Sequence, residues 1–125
     1  MSNELKQSLR EATVGAESEF RREIVEYDGQ EFEIKEPSVA LRGKIISKSG
    51  LKIKGADVDE DSMDLSFSQV YSVIYCTYVP GTDERVFEES DAPILANKPA
   101  GSFVDKFSSV AMRLMQSDAE EEAKN

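Results

Sequence analysis

The chain has no histidine and no tryptophan, a single cysteine, and no apolar run approaching the ~20 residues that span a bilayer. Each absence removes a class of function. Without histidine, neither a Ser-His-Asp nor a Cys-His arrangement can be assembled. One cysteine leaves too few soft donors for a zinc or iron centre. Cys76 has no partner for an internal disulfide, and inside the apolar run 70–79 it reads as a small buried hydrophobe. Residues 1–20 contain no apolar core of a secretory signal, so the expectation is a soluble protein that stays where it is made. Positive charge is scarce too: 15 Lys and Arg stand against 25 Asp and Glu, a net charge of −10. A field of that sign repels nucleic-acid phosphates and anionic lipid, so neither nucleic acid nor membrane is an expected partner.

The remaining enzyme signatures are missing as well. No phosphate-binding loop is present, and the glycines never take a dinucleotide-binding spacing. Asp57, Asp59 and Asp61 match the first three ligand positions of a calcium loop. Ser62 then stands where the sharp turn needs glycine, and Ser68 where a bidentate glutamate is needed, so the stretch reads as an acidic linker. No residue pattern selects a pair of carboxylates for acid-base work. The chain is expected to be no enzyme, with no metal and no cofactor.

What is present is a set of short periodic segments. Residues 1–19 form a polar N-terminal segment expected to be loosely ordered; Leu5 and Leu9 allow a short helix that would bury little. Residues 20–27 and 30–36 read as two strands around Asp28-Gly29, a strong hairpin signal. A two-residue loop pairs Val25 with Phe32; a four-residue loop pairs Tyr27 with Phe32. Either register puts Val25, Tyr27, Phe32 and Ile34 on one apolar face and leaves a largely charged face opposite. That apolar face needs a cover, expected from the helix that follows Ser38. Pro37 ends the second strand, Ser38 caps this helix to about Ser49, and Leu41, Ile45 and Ile46 form its stripe.

Residues 51–64 read as a polar connector. A second helix is expected from Ser66, whose spacing to Gln69 fits a capping box. Val70–Val79 is also rich in β-branched and aromatic residues, so 66–79 competes as a buried strand, with the cap and the length favouring helix. Asp91-Ala92-Pro93 opens a short helix to about Ala96. The clearest helix spans about 100–117, with Phe103, Phe107, Val110 and Leu114 at spacings of four, three and four and Met115 beside them. This stripe is either core or a partner-binding groove, and those five residues are the candidate partner site. Residues 118–125 form an acidic, flexible tail. The expected architecture is α+β and mainly helical: one domain over 20–117, an N-terminal hairpin packed on a bundle of three to four helices.

Three blocks carry a resemblance beyond this. The first is strand, turn, strand and helix opening over Glu26–Arg42. The second is the apolar helix running into Tyr78-Val79-Pro80-Gly81-Thr82 and then Arg85–Asp91. The third is Lys98-Pro99-Ala100-Gly101 before the terminal amphipathic helix. In this order, over about residues 20–116, the chain resembles the tail assembly chaperones of long-tailed phages. The resemblance implies a non-enzymatic protein of the infected host cytoplasm, absent from the mature virion. It would bind the tape measure protein, keep it soluble and help the tail tube protein polymerise around it. A longer form made by ribosomal frameshifting is a further implied partner, and codons for Ala123-Lys124-Asn125 can spell a slippery A-run. A small structural tail protein and an unrelated adaptor domain are the alternatives.

Overall fold

A computed structural model describes residues 2–17, 19–50, 52–54, 57–59 and 64–116. The expected acidic tail, 118–125, lies outside the described residues, as does much of the acidic linker. The fold is α+β and mainly helical, as the sequence indicates.

Helix α1 (Ser2–Ala12) leads the chain. Strands β1 (Arg22–Tyr27) and β2 (Gln30–Lys35) follow as an antiparallel hairpin. Val25 pairs with Phe32 and Tyr27 with Gln30, which selects the two-residue loop. Asp28 (φ 53°) and Gly29 (φ 74°) both take left-handed backbone, the requirement of the turn whose twist matches the strands. Helix α2 (Val39–Lys48) starts where Ser38 Oγ accepts the Leu41 N–H at 3.1 Å, and ends at Gly50 with φ 84°.

The stretch read as a plain connector contains two short antiparallel strands, β3 (Lys52–Lys54) and β4 (Asp57–Asp59). Helix α3 (Leu65–Cys76) begins one residue before the expected Ser66. Its cap is Asp64, whose carboxylate accepts the N–H groups of Ser66 (2.9 Å) and Phe67 (3.4 Å). A carboxylate at a helix N-terminus also meets the positive end of the dipole, and it displaces the Ser66 capping box. The helix-or-strand question at 66–79 resolves by position. Helix runs to Cys76, and Thr77–Tyr78 then forms β5, pairing Ile34 with Thr77 and Glu33 with Tyr78. The sheet order is β1-β2-β5. Arg85 bridges back to Tyr78. A 3-10 turn (Glu89–Asp91) leads into α4 (Ala92–Ala96) with Pro93 in its first turn. Helix α5 (Phe103–Met115) starts three residues later than expected, because Pro99–Gly101 form a turn before the Ser102 cap.

The core joins Val25 and Ile34 of the hairpin, Ile45 of α2, Val70 to Cys76 of α3, Leu95 of α4, and Phe107, Ala111 and Leu114 of α5. Helix α3 is central, packing on α2, α4 and α5. The helix laid over the hairpin is α5, not α2 as the sequence order suggested. Phe107 packs edge-on to Tyr27 and against Phe32, with ring centroids 6.0 and 4.8 Å away. The hairpin accepts α5 because three aromatic rings fill the cleft between them, whereas the narrow stripe of α2 is used on α3. Polar ties hold the same placement. Arg21 donates to the Leu114 carbonyl at the end of α5 and to Glu36 at 3.2 Å, and Lys106 Nζ donates to the Glu26 carbonyl at 2.6 Å.

Candidate functional site

The stripe singled out on α5 is distributed between core and margin. Phe107 and Leu114 are buried; Phe103, Val110 and Met115 are half-buried against the same core. Phe103 is enclosed by rings, stacking on Phe87 at 5.8 Å and meeting Tyr27 at 5.7 Å. The hairpin packs across this stripe, which supports the core reading for Phe107 and Leu114.

The open concavity lies elsewhere. A groove of about 880 Å³ is bounded by the sheet face turned away from α5, the chain entering β1 and the first turn of α2. Phe20, Pro37, Leu41 and Tyr78 supply its apolar surface, and Arg22, Lys35, Arg85, Glu19, Glu36 and Asp83 its charges. Each element contributes for a local reason. Pro37 stops β2 and turns the chain into α2, which brings Leu41 to the wall. Tyr78 arrives because β5 pairs with β2.

Much of the charge is already paired. Lys35 Nζ donates to Asp83 at 3.1 Å and to the Thr82 carbonyl at 2.7 Å, while lying 4.6 Å from the centre of the Tyr78 ring. Burial pushes Glu36 up, but the Arg21 backbone N–H and guanidinium outweigh it and hold the carboxyl below its usual range. The charged face of the hairpin is not uniformly exposed. Glu33 is 3% exposed, with Lys35 Nζ 3.6 Å from its Oε1. It sits in the middle strand with Ile24 and Tyr78 as its cross-strand neighbours, which cover it.

A second polar cluster braces α2, α3 and the segment after β5. The Tyr75 hydroxyl donates to Glu89, which also pairs with Lys44 at 3.2 Å. Burial and then this carboxylate raise the Tyr75 hydroxyl far above its ordinary range, so it stays a donor. The Tyr75 hydrogen bond and Lys44 lower Glu89. Lys44 and Arg85 lie 5.1 and 4.9 Å from the Tyr75 ring centre. Burial pushes the Cys76 thiol up to about 12, so it is no nucleophile. Among the described residues no His, Cys, Asp or Glu cluster is placed to hold a metal, and no helix is long and apolar enough to cross a membrane.

The sequence reading missed the groove. In the sequence Phe20 opens a strand pattern and Tyr78 ends a helical one, and no periodicity shows that β5 will join β2. The one available signal was the β-branched and aromatic ending of 70–79, which marks the change from helix to strand. Comparison with protein families, with curated proteins and with solved structures returns no match to this chain.

Proposed function

We propose that the chain is a phage tail assembly chaperone. In this reading it binds the tape measure protein in the cytoplasm of the infected cell, keeps that helical protein soluble, and promotes tail tube polymerisation around it. It is a binding protein and not an enzyme, and it leaves before the virion is complete. The observation that carries the reading is the groove floored by Phe20, Pro37, Leu41 and Tyr78 with charges of both signs around it. An apolar trough with a polar rim suits the exposed face of an amphipathic helix, held until assembly buries it elsewhere. The order of the three sequence blocks supports the same assignment, and the net charge of −10 keeps the loaded chaperone soluble.

The test is co-expression with the candidate tape measure protein. The expected result is co-purification and a larger soluble fraction of the tape measure protein. Both should fall with Phe20→Glu or Leu41→Glu, which place charge on the groove floor. If the two proteins neither co-purify nor affect each other's solubility, the assignment is wrong. Mass spectrometry of purified virions checks the remaining clause, since a stoichiometric amount of this chain would make it a structural tail protein.

A further inference from the structure

The face of the hairpin turned away from α5 has an unbalanced arrangement of charge. Arg22, Ile24 and Glu26 of β1 lie on it and are exposed, Ile24 by 50%. Their cross-strand neighbours are Lys35, Glu33 and Glu31. Cation therefore opposes cation at one end of the hairpin, and carboxylate opposes carboxylate at the turn. Like charges directly opposite repel. Ion pairs among the described residues take in Arg21, Lys35, Lys44 and Arg113, but neither Arg22 nor Glu26.

The same three residues form an open sheet edge, since β1 is the outer strand. The Glu36 N–H donates to the Arg21 carbonyl at 2.8 Å, which makes the odd-numbered residues of β1 the ones bonded to β2. The N–H and C=O groups of Arg22, Ile24 and Glu26 then point outward. Lys106 takes the Glu26 carbonyl, which keeps a second lone pair.

We propose that β1 pairs antiparallel with β1 of a second copy of this chain, about a two-fold axis at Ile24. This register sets Ile24 against the partner's Ile24, Arg22 against the partner's Glu26, and Glu26 against the partner's Arg22. Each repelling end of one hairpin meets the opposite end of the other. Among alignments centred on an outward-facing residue, an axis at Arg22 or at Glu26 would instead oppose like charges, so charge favours the one at Ile24. All three residues carry outward backbone groups, so each of these pairs exchanges both hydrogen bonds and the two sheets become one. The axis is perpendicular to the sheet, so both grooves open on the same side. That last consequence rests on the groove being the binding site; the pairing itself does not.

The test is the mass of the full chain by sedimentation equilibrium over a concentration series. The expected species is a dimer. Arg22→Glu alone, or Glu26→Arg alone, should weaken it roughly tenfold or more, because both symmetric charge contacts become repulsive. The double variant Arg22→Glu with Glu26→Arg restores attraction with the signs exchanged and should recover the dimer. Far-UV circular dichroism should be the same for all four proteins, since the altered side chains are exposed. A chain that stays monomeric to about 1 mM overturns the proposal. So does a dimer indifferent to both single changes, or one that the double variant does not recover. Tape measure binding is not read here, so failure of the pairing and failure of the chaperone assignment remain distinguishable.

Discussion

Phe107 and Cys76 show how far single residues were legible. A phenylalanine at helical spacing with Phe103, Val110 and Leu114 must face something apolar, and the sequence left open whether that was core or partner. Its exposure of 1% and its contacts with Tyr27 and Phe32 decide for core. Truncation to alanine should therefore act on stability whether or not any partner is present. Phe107→Ala is expected to cost about 3–5 kcal/mol, read from the urea midpoint of the isolated chain. A loss below about 1 kcal/mol would return Phe107 to the partner surface. Cys76 was legible because a lone cysteine amid valines and tyrosines has no apparent base beside it. With its thiol pushed up to about 12 by burial, the thiolate fraction at neutral pH falls by about three orders of magnitude relative to a free cysteine. Ellman's reagent should leave the native chain unlabelled over hours and label it at once in denaturant. Rapid labelling without denaturant would mean that α3 opens readily at its C-terminal end.

At the scale of elements, local chemistry wrote the starts and stops, and tertiary contact wrote the partners. Asp28-Gly29 set the turn, Ser38 capped α2, and Pro93 opened α4, each through backbone demands that neighbouring residues meet. The Ser66 cap failed because the helix is already capped at Asp64, whose carboxylate accepts the Ser66 and Phe67 amides and the Ser66 hydroxyl as well. The cover of the hairpin could not be read locally. Arg21 and Leu114 are 93 residues apart in the chain yet hydrogen-bonded, and nothing in either neighbourhood announces it. That junction has a pH signature through Glu36, which accepts from Arg21. Its carboxyl titrates below the usual value of 4.5 in the folded chain. The folded state therefore binds its proton less readily than the unfolded one. The resulting stability is fully present above the unfolded value and is lost as pH falls through the lower, folded one. Urea midpoints for the native chain and Glu36→Gln, measured from neutral to acid pH, should differ most at neutral pH and converge toward acid. Parallel curves would show that the Glu36 charge contributes nothing to stability at this junction.

The whole molecule divides into a body and a separate helix. α3 is enclosed by α2, α4 and α5, and the hairpin packs on α5 and pairs with β5, so residues far apart in sequence depend on one another. Removing any of these helices would open the common core. α1 is different. Leu5 and Leu9 are 63% and 59% exposed, Val14 is 73% exposed, and the hydrogen bonds of this segment run within it, from Gln7 to Glu11 and from Thr13 to Leu9. This was legible from the sequence, where two leucines among polar residues cannot bury enough surface to hold a helix against the body. Apolar burial supplies most of a domain's stability, so a segment that buries little contributes little. A chain lacking residues 1–17 is expected to unfold cooperatively within about 2 °C of the full chain, because 1 kcal/mol corresponds to roughly 4–8 °C in a domain of this size. Differential scanning calorimetry of the two proteins reads that difference directly. A fall of about 8 °C or more would require α1 to pack on the body in solution, and the Phe20 groove, where the chain leaves α1 for β1, would be the surface to examine with Leu5→Ala and Leu9→Ala.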